Sequence, residues 1–420
     1  MPAEPTPRKL LLVGGVRAVP LGLDMARLAL DQAHARGLRT HLTNQEAVLA
    51  ATPGVAEQAG AVSAVDFANP GESAAWARDR AAEGERFDAV LALQEMAQVA
   101  AAETAEALGL PGNPAEAVRR VRTKDACRTA LAAAGFRQPA VRLCADEAEA
   151  AEFLRGSTGP WIVKPRDAMG STGVSRITGP DGLPAAIALL PGRNPFLVEE
   201  FVQGAEYSVE GLFLGGEPVV LAVTEKEKVE PPFFVEVGHI LPAELPDTQR
   251  EEMERQVKAA LAVLGLRVGG FHVELWLSPD GIVLGEVHGR FGGDWIHRML
   301  AHVVPGLELF GLLYDDLLGL PRDEAAPTPV RAAAARYLTP PPGLVTAVEG
   351  WTEAANHPDV LYADLAVGPG GTVRPLRTSG DRAGVIVVGA DTPDQARKLA
   401  RELADSVRFT VEPARTVEPA

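Results

Sequence analysis

The chain has 420 residues, 46% hydrophobic and 23% charged, a composition that excludes a disordered or fibrous protein and is long enough for two or three packed units. Forty basic against 56 acidic side chains leave a formal charge of -16, which repels polyanions and argues against a nucleic-acid partner. The two cysteines, Cys127 and Cys144, form no CxxC pair, so zinc and redox chemistry have no support, and the apolar run Leu10 to Val16 stops at Arg17, far short of a membrane span; the expected location is the cytoplasm.

In chain order, Lys9 to Val16 reads as a strand ending in Gly14-Gly15, Leu21 to Gly37 as a helix with a glycine stop, and Leu38 to Leu42 as a second strand. Phe87 to Leu93 and the alanine-rich Ala97 to Leu108 repeat the pattern, so residues 1–115 form an α/β unit with parallel strands, closed by Pro111-Gly112-Asn113-Pro114. Gly14-Gly15 lacks the GxGxxG of a dinucleotide site. Glu116 to Gly135 has helical spacing. Trp161 to Pro165, Phe196 to Val202 and Tyr207 to Leu214 are strands, and Asp247 to Leu264 is a long helix. Gly270 to Leu277 and Gly281 to His288 form a hairpin about Ser278-Pro279-Asp280-Gly281. Residues 322–330 read as a linker. Beyond it Ala332 to Leu338, Gly343 to Gly350, Val360 to Val367 and Gly384 to Gly389 alternate like strands, and Thr392 to Ser406 is an amphipathic helix.

Three stretches carry chemistry. The buried strand ending at Lys164 is followed by Gly170-Ser171-Thr172-Gly173-Val174, whose backbone N–H groups and nearby ammonium suit a phosphate; the same residues also suit a hairpin with an exposed lysine and a flexible tip. No GxxxxGK[ST] occurs, so this is not a Walker A loop. Next, Phe196 to Glu210 places Glu199-Glu200-Phe201-Val202 at a strand end and Glu206 after a turn, an arrangement for the edge and ribose of a nucleoside or for ordinary solvated acids. On the hairpin, Glu274, Glu286 and His288 share one face by the two-residue period of a strand. Carboxylates that close need a cation between them, and two of them fit magnesium; Arg290 offers a fork of donors to a carboxylate or phosphoryl group. Paired salt bridges on a sheet face are the plainer alternative. Glu95, after a strand, is either a pocket residue or an acid at a helix N-terminus.

Taken in this order, the segments resemble the ATP-grasp superfamily over nearly the whole chain. The resemblance implies an α/β (α+β) protein: a Rossmann-like N-terminal domain over 1–115, an ATP-grasp domain over 116–325 with a lid near 135–203 and a central antiparallel sheet, and a small β-rich C-terminal subdomain over 330–415. It implies that Lys124, in Thr123-Lys124-Asp125-Ala126-Cys127-Arg128, and Lys164 contact ATP phosphates under the lid loop Ser171, Thr172, Gly173 and Val174. Glu199, Glu200, Phe201 and Val202 then face the adenine, Glu206 holds the ribose, and Glu274 and Glu286 bind Mg2+, or Mn2+ in its place. His288 stands where asparagine is common in the family. Arg290 steadies an acyl phosphate. Gly292-Gly293 after that arginine is similar to carboxylate-amine ligases that make dipeptides, and by that likeness Glu236 and His239, read as loop residues, receive the first substrate, while Gly293 and Asp294 shape the second pocket, with Asp294 favouring a basic amine. The implied partners are a small-molecule carboxylate and amine, and a homodimer by family analogy. The alternatives are an ATP-grasp enzyme acting on a phosphorylated ribosyl substrate, a ligase loading a carrier protein, and a non-catalytic nucleotide-binding module.

Overall fold

The computed structural model describes residues 7–192, 195–229, 231–321 and 327–413. The first residues form a parallel sheet in the order Ala61–Ala64, Arg39–Asn44, Lys9–Val13, Ala89–Leu91. Helix Pro20–Ala35 crosses between the first two strands, as their parallel pairing requires. The first strand ends at Val13, earlier than its apolar run, because Gly14 turns to φ +59° with Ala97 packed so close that any Cβ there would clash. Of the expected linker, residues 322–326 lie outside the described residues.

The helical spacing of 116–135 resolves into two helices, Ala115–Arg122 and Lys124–Ala133, separated by Thr123 in an extended conformation. Periodicity continues across the break because both helices bury the same side, with Val118, Val121, Cys127 and Leu131 in one core. The restart sets Lys124 at the first position of a new helix. Helix Asp247–Leu264 packs on that core through Met253, Val257, Ala260, Leu261 and Leu264, all fully buried. Each larger side chain among them contributes roughly 1.5–3 kcal/mol by leaving water.

The main sheet has eight antiparallel strands in the order Gly281–His288, Gly270–Ser278, Ala205–Leu214, Glu217–Lys228, Glu236–Leu241, Ala332–Leu338, Gly384–Ala390, Val360–Leu365. The C-terminal strands thus extend the same sheet, while Gly343–Glu349, Thr372–Val373 and Arg408–Glu412 make a small sheet of three. A separate antiparallel sheet, ordered Val141–Cys144, Phe196–Glu200, Trp161–Pro165, Ser175–Ile177, is backed by helices Glu147–Gly156 and Leu183–Ala188 around its own core. Two strands depart from the sequence reading. Glu217–Lys228 is a strand where no element is expected, and Glu236–Leu241 is a strand where a loop is expected. Among the described residues no helix is long and apolar enough to cross a membrane. Both cysteines are buried, and burial pushes the Cys127 thiol up to about 12 and the Cys144 thiol up to about 11, which leaves them unreactive.

Candidate active site

A cavity of about 840 Å³ lies between the separate four-stranded sheet that carries Trp161–Pro165, the main sheet and the parallel-sheet unit. Its roof is the loop joining Trp161–Pro165 to Ser175–Ile177, where Gly170, Ser171 and Gly173 adopt φ of 66°, 57° and 70°. Lys164, at the end of the roof strand, is 5% exposed, which corrects the exposed-lysine alternative. Its Nζ lies 2.5 Å from Glu199 Oε1, and Arg128 Nε lies 2.6 Å from Glu199 Oε2. Burial alone would raise the Glu199 carboxyl, but Arg128 and Lys164 hold it below the usual range; Lys164 is itself lowered by burial, which Glu199 only partly opposes. Glu200, at the cavity edge, accepts from the backbone N–H of Thr158 at 2.8 Å.

The floor is the main sheet. The buried Lys226 ammonium lies 2.7 Å from Glu274, 2.9 Å from Glu236 and 3.2 Å from Glu206. Burial would lower Lys226, yet the three carboxylates raise it well above its ordinary value, and Lys226 correspondingly overrides burial to hold Glu274 well below the carboxylate range. Glu206 also pairs with Lys228 and accepts from Trp276 Nε1 at 2.9 Å. A bulge opposite Glu274 sets Gly285 and Glu286 against that one residue, keeping Glu274, Glu286 and His288 on the cavity side. Glu286 lies 3.3 Å from Lys124 Nζ, and Lys124 also donates to the carbonyl of Ala168 at 2.7 Å.

Beneath Glu274, His272 Nδ1 lies 2.9 Å from the buried Glu210. Gly292 is required here, since a Cβ would fall 2.9 Å from Glu210 Oε2 and 3.0 Å from His272 Nδ1. Burial disfavours the charged ring, but Glu210 more than offsets it and pushes His272 from 6.5 up to about 9. The folded state therefore binds the proton more tightly than the unfolded chain, so this stabilisation is complete below the unfolded value of 6.5 and lost as pH rises through about 9. We expect urea unfolding to lose about 3 kcal/mol across that window. In Glu210→Gln the decline should flatten; an unchanged slope would count against this pair.

The far wall joins three parts of the chain. Arg290 Nε donates to Glu95 at 2.6 Å, and Asp294 takes two hydrogen bonds of 2.8 Å from Arg382 and one contact of 3.0 Å from His239. Arg382 follows a turn closed by a Thr378–Asp381 capping box and stacks 3.6 Å above the Tyr337 ring. Asp294 and Trp295 hold φ of 50° and 66°, a left-handed pair that non-glycine residues adopt at a cost and that clusters at functional sites.

Of the residues singled out from sequence, all line the cavity except Gly173, which packs against Leu189–Pro191. Glu236 and His239 are strand residues, and although three apart they share the cavity face because a bulge at Val237, opposite Glu227 and Lys228, inserts one extra residue; His239 is 1% exposed. The Asp294 carboxylate is already neutralised by Arg382, which removes the physical basis for assigning it to a basic amine. Sequence reasoning missed Arg128, Lys226, Glu210, His272 and Arg382. For Lys226 the run Glu225-Lys226-Glu227-Lys228 was a usable sign: its lysines face the cavity while its acids meet Arg336, Arg397 and Arg401.

The donor set suits a divalent cation. Glu274 and Glu286 destabilise each other's charge, and the ammonium groups of Lys226 and Lys124 now supply the compensation. Among the described residues, the donors that gather within 4.8 Å of one another are Glu206, Glu236 and Glu274, and Glu236, His239 and Asp294; the expected trio of Glu274, Glu286 and His288 is not among them.

A separately cored roof sheet over an antiparallel floor, with lysines from both sides of the gap, defines the ATP-grasp class of fold. Residues 157–298 match the ATP-grasp domain, residues 30–112 the ATP-grasp N-terminal domain and residues 336–412 the L-amino acid ligase C-terminal domain 2. The chain belongs to the ATP-grasp superfamily, and the L-amino acid ligase likeness at domain level lies in its C-terminal part, residues 336–412. It is 29% identical over 324 residues to an uncharacterized protein of Sinorhizobium fredii, covering 72% of this chain and 64% of that one. It is 27% identical over 263 residues to the alanine–anticapsin ligase of Bacillus subtilis strain 168, covering 55% and 54%. The chain thus spans less than two thirds of the length of either relative. The L-amino acid ligase from Bacillus licheniformis has the same fold, with a TM-score of 0.80, 22% identity, and 96% and 99% of the two chains covered.

Proposed function

We propose that this chain is an ATP-dependent ligase that joins a small carboxylic acid to an amine, with amino acids as the substrates and ADP and phosphate as by-products. The observation that carries this reading is a single cavity in which Lys124, Lys164 and Lys226 stand beside paired carboxylates, with Arg290 and His239 further along the same wall. Ile162, Phe201, Val202 and Trp276 supply apolar walls for a purine, and Glu206 an acceptor for ribose hydroxyls. The lysines receive phosphates as localised charges. Mg2+ held by Glu274 and Glu286 would neutralise the phosphate charge.

In this reading a substrate carboxylate oxygen attacks the γ-phosphorus, the bond to ADP breaks, and an acyl phosphate forms beside Arg290. The amine nitrogen then attacks the acyl carbon, phosphate leaves and the amine loses a proton. No side chain acts as a nucleophile, so the protein's work is positioning and charge stabilisation. Glu236 and His239 receive the first amino acid, and Gly293 leaves open space for the second. The roof loop, where the Ser379 N–H donates to the Gly170 carbonyl at 3.1 Å, excludes the water that would hydrolyse the intermediate.

The test is ADP and phosphate release across a panel of amino acids, singly and in pairs, with mass spectrometry of the products. A new amide in step with ADP is the expected result. ATP binding without stimulation by any pair would remove free amino acids as substrates, and phosphate release that ignores magnesium would argue against the site as assigned.

A further inference from the structure

Glu95 comes from the turn after strand Ala89–Leu91 of the parallel sheet, yet its carboxylate lies among the charged groups of the main sheet and is only 6% exposed. Oε1 accepts from Arg122 at 2.8 Å; Oε2 accepts from Arg290 Nε at 2.6 Å and lies 3.0 Å from His288 Nδ1. An ionised carboxylate can only accept, so the proton of this contact sits on Nδ1. In the neutral ring Nε2 then carries the lone pair, and it faces Glu286 Oε2 at 3.6 Å. That separation is too long for a hydrogen bond and open enough for both atoms to share one cation. Carboxylate, imidazole and metal in line is a recurrent way of orienting a ligand histidine.

We propose that Glu95 is a positioning residue: it locks the His288 tautomer and thereby makes Nε2 a nitrogen donor beside Glu286, so that the nucleotide-linked cation site favours Mn2+ over Mg2+. The inference rests on the ligase reading only in placing that cation at Glu286. An imidazole nitrogen is a softer donor than oxygen, and Mg2+, which keeps its water and prefers oxygen, gains less from it than a first-row transition ion. Because the same Glu95 oxygen also holds Arg290, the parallel-sheet unit sets the aim of both groups at once.

The experiment measures Mn2+ binding to the protein with ADP by loss of the free-ion electron paramagnetic resonance signal, with Mg2+ as competitor. Nitrogen-14 modulation of the bound Mn2+ signal serves as the spectroscopic check. Wild type should show nitrogen coupling, and its Mn2+ to Mg2+ affinity ratio should exceed that of His288→Asn by about tenfold. Glu95→Gln should weaken the coupling and shift the ratio in the same direction, whereas a merely structural Glu95 would lower both affinities and leave the ratio alone. An unchanged ratio in His288→Asn, with binding intact, overturns this inference and leaves the ligase reading standing. Absence of ADP-dependent Mn2+ binding in wild type overturns both.

Discussion

Glu286→Gln and Lys164→Ala, made separately, are each expected to lower ligase turnover about 100-fold or more, the loss typical of removing one preorganised charge from a developing transition state. The glutamine substitution would keep the shape of the side chain but remove the charge that Lys124 faces at 3.3 Å and that the cation site requires. The alanine substitution would remove the ammonium that the roof strand contributes to the cavity lining. The two variants differ in a second respect. Glu286 faces the open cavity, so its loss should leave the melting temperature close to wild type. Lys164 is the buried partner of Glu199, so its removal leaves that carboxylate to Arg128 alone and should lower stability as well. Turnover at saturating substrates, read beside thermal melts, separates the effects, and near-normal turnover in both variants would end the site assignment.

Lys226→Met is expected to produce the largest loss of stability, about 3–5 kcal/mol at neutral pH, since removing one partner strands buried charges. Three carboxylates, Glu206, Glu236 and Glu274, converge on that ammonium, whose side chain is 1% exposed. Without it their folded-state protonation becomes easier than in the unfolded chain, so the folded variant binds more protons and gains stability as pH falls. Denaturant titrations at pH 7.5 and 5.5 should therefore show a smaller deficit at the lower pH. A deficit that is small and independent of pH would mean that the lysine does not hold the acids together.

Much of the fold was legible in the chain. Helix Asp247–Leu264 was legible in outline because its apolar positions recur at helical spacing, and in the structure Gly265 ends it at φ +82°. The hairpin of Gly270–Ser278 and Gly281–His288 followed from Pro279-Asp280 between alternating strands. Thr123 was harder, because a break that keeps both helices on one core does not disturb the periodicity. Strand Glu217–Lys228 was missed because its inward-facing residues include Lys226 and Lys228, and a charged residue pointing into a cavity is indistinguishable in sequence from one pointing into water.

What the sequence by itself determined was the set of local elements and the polar residues that punctuate them: lysines at Lys124 and Lys164, acids at Glu274 and Glu286, and the arginine at Arg290 that follows a strand end. Spacing along one strand or across one short turn is enough to place such groups on a face. Only the tertiary structure decided which charges neutralise one another. Glu95 reaches Arg290 across 195 positions, Arg382 reaches Asp294 across 88 and Lys226 reaches Glu274 across 48, and each pairing joins segments that only the folded chain brings together. Coulomb interactions in a buried site depend on distance and desolvation, and both are set by how the units pack, not by separation along the chain.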